Sequence, residues 1–214
     1  MKNITDITIT IFVLPILLVI IPIIYLFILV SDGYPAIYKQ ERVGKNGKIF
    51  TLYKFRTMDH SSDENIHEEH YKNLTKAQTV EPSLTPGNPI RIENDDRITK
   101  IGQFLRKTSL DEFPQFFNVL IGDMSIVGPR PHMLLHTEEY SALIKKYMVR
   151  QLVKPGITGV AQVRGYRGET KELHDMEGRV RLDVWYIENW SLSLDINIIF
   201  QTVWNVFKGD KNAF

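Results

Sequence analysis

From Ile11 to Val30 the chain is apolar at every position except Pro15, Pro22 and Tyr25. Beyond Ser31 polar and apolar residues mix as in an ordinary water-soluble domain. About 20 apolar residues suffice for a helix to cross the hydrocarbon core of a bilayer, so the run predicts a membrane helix. A cleaved signal peptide fits poorly. Its leading segment should be basic, yet Lys2 is offset by Asp6, the apolar run is too long, and Val30-Ser31-Asp32-Gly33 is a poor cleavage site. Lys39, Arg42, Lys45, Lys48, Lys54 and Arg56 follow the run, with Glu41 the only acid between Lys39 and Asp59. Basic flanks stay cytoplasmic and attract anionic head groups, which places the rest of the chain on the cytoplasmic side. Pro15 and Pro22 each remove a helix hydrogen bond and favour a kink. From residues alone the segment reads as a kinked single span, with a bend that enters and leaves by one leaflet as the alternative.

Further on, the pattern shortens. Residues 36–58 read as strand-like, Ile49 to Phe55 alternates with β-branched and aromatic side chains, and Asn46-Gly47 predicts a hairpin turn between two strands. Residues 59–97 are polar, with Pro82, Pro86, Gly87 and Pro89, and predict a charged surface helix followed by an extended loop. His60, His67 and His70 there read as a solvated face rather than a metal site. Ile98, Ile101, Phe104 and Leu105 recur at helical spacing, with Asp95 or Asp96 as the expected cap. A second amphipathic stretch covers roughly 133–148. Leu192 to Phe207 is apolar over a wide face, with Trp190 just before it and Trp204 within it. It suits either the membrane interface or packing against the domain. No internal repeat or low-complexity tract is present.

Composition narrows the classes. The 214 residues fit one domain with an appendage, and the net charge of +1 lacks the basic excess of a nucleic-acid binder. Without cysteine there is no disulfide, thiolate metal site or Cys nucleophile. The usual phosphate-loop, dinucleotide-binding, Gly-x-Ser-x-Gly and His-Glu-x-x-His signatures are missing.

Asp111-Glu112 is the pair with most chemical interest. Ser109-x-x-Glu112 matches a capping box, in which the acids would serve only a helix N-terminus. Pro114 fits better if the helix begins nearer Asp111. Arg106 and Lys107 precede the pair, and Arg130 stands between Pro129 and Pro131. Arginine grips phosphate oxygens in two-pronged fashion. Neighbouring carboxylates can hold Mg²⁺ that also binds substrate phosphates. Carboxylates, arginines and a membrane anchor together suggest phosphoryl chemistry on a lipid. His132 and His136, four apart, read as supporting or surface residues rather than a ligand pair.

Several strings taken in order give a sharper identification. They are Lys39-Gln40-Glu41-Arg42-Val43-Gly44, Tyr53-Lys54-Phe55-Arg56-Thr57-Met58, Arg106 with Ser109-Leu110-Asp111-Glu112, and Gly122-Asp123-Met124-Ser125 through Pro129-Arg130-Pro131. Lys154-Pro155-Gly156-Ile157-Thr158-Gly159, Ala161-Gln162-Val163 and Asp183-Val184-Trp185-Tyr186-Ile187 follow. With these the chain resembles the bacterial sugar transferase family, the monotopic polyprenyl-phosphate phosphoglycosyl transferases, over nearly its whole length.

The resemblance implies an α/β, mostly helical fold. Residues 1–35 would form a re-entrant membrane helix, and residues 36–214 a small cytosolic catalytic domain with a β-hairpin and interfacial amphipathic helices. Family members usually break the membrane helix at a Ser-Pro pair, where this chain has Leu14-Pro15 and Ile21-Pro22, and Asp32-Gly33-Tyr34-Pro35 also departs from the usual loop. The implied reaction runs in two steps. Asp111 attacks the sugar-linked phosphorus of a UDP-sugar and releases UMP, and undecaprenyl phosphate then takes the phospho-sugar. Glu112 would tune Asp111 or join it in holding Mg²⁺. Arg106 and Arg130 would hold phosphates, with Lys54 and Arg56 as further candidates, Pro129 and Pro131 as part of the substrate-binding site and Asp183 supporting it. Gly165 to Thr170, with Arg167 and Glu169, resembles the loop of members that transfer glucose- or galactose-phosphate, whereas members lacking it often use N-acetylated amino sugars. The chain resembles the minimal form of the family, at the inner membrane, with membrane lipids as partners and room for a homodimer. A glycosyltransferase that releases UDP, and a non-catalytic anchored scaffold, are the competing readings.

Overall fold

A computed structural model describes residues 2–59, 97–166 and 173–208. The first helix, α1, runs from Lys2 to Asp32 and continues through both prolines. It is long and apolar enough to cross a membrane. Its buried residues, Asp6, Thr10, Leu17, Ile24 and Ile28, recur at intervals of four or seven and so form one stripe. Outside that stripe Phe12, Leu18, Val19, Leu26, Phe27 and Val30 are exposed.

Both ends of α1 touch the rest of the chain. Asp6 Oδ1 accepts from Ser125 Oγ at 2.9 Å and from the Ile126 amide at 3.1 Å. Lys2 Nζ lies 2.6 Å from an Asp195 carboxylate oxygen and over the rings of Tyr186 and Trp190. At the other end, Ile24 and Ile28 pack with Ala36, Phe55 and Leu105. A helix of this length spans about 46 Å. A straight crossing would carry its first turns to the far side of a core about 30 Å thick, away from these contacts.

Strands β1 (Ile37–Val43) and β2 (Ile49–Phe55) pair antiparallel, from Ile37 opposite Phe55 to Val43 opposite Ile49. Between them Asn46 and Gly47 adopt φ of 56° and 75°, the left-handed geometry that makes Asn-Gly an effective hairpin turn. Opposed residues share a face. Arg42 and Gln40 therefore stand on the same face as Phe50, Leu52 and Lys54.

Helix α2 (Lys100–Thr108) realises the expected helical spacing. Its cap is Thr99, whose hydroxyl accepts from the Gly102 amide at 2.9 Å. The expected caps Asp95 and Asp96 lie outside the described residues, as do His60, His67 and His70. A side chain on Gly102 would come within 2.0 Å of the Thr57 carbonyl, so α2 can approach the end of the hairpin only with glycine there.

A single 3-10 turn, Leu110–Glu112, leads into α3 (Gln115–Leu120). Strand β3 (Ser125–Val127) precedes α4 (Leu134–Leu143), which is shorter than the predicted amphipathic stretch. Ile144 is extended and Lys146 is left-handed, and a 3-10 segment, Tyr147–Leu152, follows. Strand β4 (Gly156–Thr158) pairs parallel with β3, Ser125 opposite Gly156 and Val127 opposite Thr158. The pair is so close that a Cβ on Gly156 would meet the Gly128 nitrogen at 2.1 Å. Helices α5 (Val160–Val163), α6 (Leu173–Glu188) and α7 (Leu192–Lys208) complete the described chain.

One core joins the hairpin, α3, β3, α5, α6 and α7 through Phe50, Leu52, Val119, Met124, Ile126, Val160, Tyr186 and Ile198. A second lies between α4, the Tyr147–Leu152 segment and α6. Helix α7 packs on the domain along one side and leaves apolar residues exposed on the other. Ile198 is buried, while Ile196, Phe200, Trp204 and Phe207 are exposed.

Candidate active site

The turn carrying Asp111 and Glu112 is not a capping box. Ser109 is left-handed at φ 60° and its side chain makes no capping bond. The helix that follows begins after Pro114, a position that asks for no amide donor. Released from that task, both carboxylates point inward, each residue only 5 % exposed.

Three elements bring cations to them. The even-numbered face of β2 ends in Lys54, whose ammonium is 3.0 Å from Glu112 Oε1 and 3.8 Å from Asp111 Oδ2. Arg130 Nη2 donates to the same Glu112 oxygen at 2.9 Å. Arg106 projects from α2, its Nε donating to Thr57 Oγ1 at 2.9 Å. Asn118, fully buried on α3, donates to the Thr51 carbonyl at 2.7 Å and accepts from the Tyr53 amide at 3.2 Å. It thereby fixes the Asp-Glu turn against β2.

The two acids differ in their satisfaction. Glu112 Oε1 is engaged by both Lys54 and Arg130. Asp111 Oδ1 is buried and has no hydrogen-bond partner among the described residues. Burial raises the Asp111 pKa to about 6, against the opposing pull of Lys54, Arg130 and Arg106 and with the help of Glu112. Glu112 in turn raises the Arg130 pKa. A buried, orphaned carboxylate oxygen beside cations is able to attack an electrophilic phosphorus or to take part in holding a metal.

Arg42 is a site residue that sequence reasoning left among the basic flank. Burial first, then the neighbouring Arg130 charge, lowers its pKa to about 10. Its Nη1 lies 3.4 Å from the Pro131 carbonyl, and its Nη2 donates to Gln40. The hairpin register was the signal that could have found it, since it puts Arg42 and Lys54 on one face. Arg42, Lys54, Arg106 and Arg130 set four positive charges against two carboxylates, an excess that suits a diphosphate.

The other expected residues divide. Pro129 and Pro131 are buried and frame Arg130. Arg56 is turned elsewhere: β2 ends at Phe55, and Arg56 Nη2 donates to the carbonyls of Asp32 and Gly33 at 2.6 and 2.8 Å, closing the end of α1. Asp183 binds Arg150 Nε at 2.8 Å rather than facing the carboxylates. Arg167 and Glu169 lie outside the described residues. His132 Nδ1 lies 2.6 Å from the Tyr147 hydroxyl. Burial, chiefly, drives the His132 pKa well below its usual value and the His136 pKa to about 4, with nearby arginines adding to both. No cluster of three or more His, Asp or Glu side chains suited to a metal occurs among the described residues. A Mg²⁺ ion that keeps waters and shares substrate phosphates needs only one or two carboxylates, and the orphaned Asp111 oxygen fits that demand. A separate groove of about 560 Å³, lined by Leu143, Lys146, Arg181 and Trp185 among others, shares no residue with the carboxylate site.

Residues 1–209 match the model of the family described as bacterial sugar transferase. A Klebsiella pneumoniae protein named UDP-glucose:undecaprenyl-phosphate glucose-1-phosphate transferase is 43 % identical over 215 residues, covering 100 % of this chain and 41 % of its own length. The protein of the same name from Escherichia coli is 43 % identical over 99 % of this chain and 40 % of its own length. The undecaprenyl-phosphate galactose phosphotransferase of Salmonella typhimurium is 42 % identical over 87 % of this chain and 37 % of its own length. The chain thus spans about two fifths of the length of these curated relatives. On the match across residues 1–209, the chain belongs to the bacterial sugar transferase family.

Proposed function

We propose that the chain transfers a sugar-1-phosphate, glucose- or galactose-phosphate, from a UDP-sugar to undecaprenyl phosphate. The observation that carries the mechanism is the buried Asp111 Oδ1, unpartnered among the described residues, beside a cluster of cations. In the first step Asp111 Oδ1 attacks the sugar-linked phosphorus. The bond from that phosphorus to the bridging oxygen breaks, and UMP leaves with the electron pair. In the second step a phosphate oxygen of undecaprenyl phosphate attacks the same phosphorus and expels the Asp111 carboxylate, giving the lipid diphospho-sugar. Two displacements at one site let a water-soluble and a lipid substrate use it in turn. Arg130, Lys54 and Arg106 would hold the phosphate oxygens, and Glu112 would orient Lys54 and Arg130. Asp111 and Glu112 would hold Mg²⁺, which neutralises charge on the diphosphate when bound.

The membrane placement follows from the surface. The exposed apolar side of α1 and the outer faces of α3, with Phe117 and Leu120, and α7, with Phe200 and Trp204, would enter one leaflet. Contacts at both ends of α1 favour the re-entrant arrangement over a single span. Exposed Lys39, Lys45 and Lys48 would meet anionic head groups at the cytoplasmic face of the inner membrane.

The test is to incubate the purified chain with undecaprenyl phosphate, Mg²⁺ and UDP-glucose, UDP-galactose or an N-acetylated UDP-sugar, and to identify the nucleotide released. UMP from the glucose or galactose donor is the expected result. UDP would point to sugar transfer without phosphate, and UMP from the N-acetylated donor alone would overturn the hexose assignment.

A further inference from the structure

Arg130 sits in a loop that cannot hold itself. Pro129 and Pro131 have no amide hydrogen, so the carbonyls of Pro129, Arg130 and Pro131 carry most of the backbone anchoring. Each carbonyl is bound from a different element. The Gly156 amide donates to Pro129 at 2.9 Å, Arg150 Nη2 donates to Arg130 at 2.8 Å, and Arg42 Nη1 reaches Pro131 at 3.4 Å. The next carbonyl, that of His132, accepts from the Val43 amide at 3.0 Å. Arg150 comes from outside the carboxylate site and is itself over-determined. Its Nε meets Asp183 at 2.8 Å, its Nη1 lies 3.0 Å from His132 Nδ1, and its guanidinium sits over the Tyr147 ring at 5.2 Å. Arg150 and Asp183 are 7 % and 2 % exposed. The space behind the loop, lined by Arg130, His132, Tyr147 and Arg150, amounts to only about 20 Å³. The backbone of Arg130 has little room to retreat.

We infer that Arg150, oriented by Asp183, is a positioning residue that fixes the backbone of Arg130 and so aims its guanidinium at the reacting phosphate. Neither member of the pair touches substrate. The kinetic half of this inference rests on the proposed reaction, and the structural half does not.

The test uses the full chain in detergent with two readouts. Arg150→Lys keeps a charge for Asp183 but loses the fork that also reaches the Arg130 carbonyl. Hydrogen exchange at the amides of Val43 and Gly156 should quicken about tenfold or more, with the amides of the hairpin core unchanged. UMP release should fall roughly tenfold in kcat/KM in the otherwise wild-type chain, and less than about twofold in an Arg130→Ala background, because a residue acting through Arg130 has nothing left to position. Unchanged exchange, uniform quickening along the whole chain, or an equal loss in both backgrounds would overturn the inference. If Arg150→Lys does not fold, Asp183→Asn, which preserves shape, is read by the same criteria. A wild-type chain that releases no UMP from any UDP-sugar would sink the reaction, and exchange at Val43 and Gly156 would still decide the clamp.

Discussion

Two buried charged clusters lie on either side of the Pro129–Pro131 loop, and they are built on opposite principles. Around Asp183 every nitrogen of the Arg150 guanidinium has a partner. Its Oδ2 takes Arg150 Nε, and the remaining Arg150 nitrogens reach His132 and the Arg130 carbonyl. Around Asp111 the matching is deliberately incomplete. Glu112 takes two cations on one oxygen, while Asp111 Oδ1 has no partner among the described residues and its proton is held up to about pH 6. Burying a polar atom unpaired costs stability, so such an atom persists where binding or chemistry uses it. The saturated cluster gives rigidity, and the unsaturated one gives reactivity.

The largest expected effect separates the two clusters directly. Asp111→Asn should remove UMP release by a factor on the order of 10⁴ or more, as for loss of other covalent nucleophiles. Glu112→Gln comes next. It weakens the hold on Lys54 and Arg130 without removing the nucleophile, and should cost roughly 10²-fold in kcat, a range typical of lost electrostatic support. Steady-state kinetics with the same donor check both, and equal losses in the two variants would erase the distinction between attacking and supporting acids.

A smaller effect concerns pH. Asp111 must be ionised to attack, and in the metal-free chain its carboxyl, followed by carbon NMR, should lose its proton as pH rises through about 6. The stability sign is the reverse. The folded-state pKa is raised, so the favourable contribution of Asp111 is present below its ordinary carboxylate range and is lost as pH rises through about 6. Asp111→Asn should therefore raise Tm by a few degrees at pH 8 and by less at pH 4.5, read by calorimetry. A variant less stable than wild type at pH 8 would mean that the charged carboxylate is satisfied in the fold.

Much of this architecture was legible as local pattern. Asn46-Gly47 predicted the hairpin because two left-handed residues can hardly be met otherwise, and the spacing of Ile98, Ile101 and Leu105 predicted α2. The role of Asp111-Glu112 was ambiguous because Ser109-x-x-Glu112 has the spacing of a capping box. Only the left-handed Ser109 and the helix start after Pro114 dissolve it. Lys54 and Arg56 look equivalent in sequence. They part because β2 ends between them, sending one to the carboxylates and the other to the end of α1. Arg150 carried no signal at all. Its hydrogen-bond partners lie 18 to 33 positions away, and nothing in its own neighbourhood marks it.

The most direct test of the central claim is to incubate the chain with UDP-glucose or UDP-galactose in the absence of undecaprenyl phosphate, quench, and map the modified peptide by tandem mass spectrometry. The account predicts one hexose-phosphate per chain on Asp111, formed with one equivalent of UMP and discharged when undecaprenyl phosphate is added. A phospho-sugar on another residue, or turnover to lipid product with no adduct on Asp111, would contradict it.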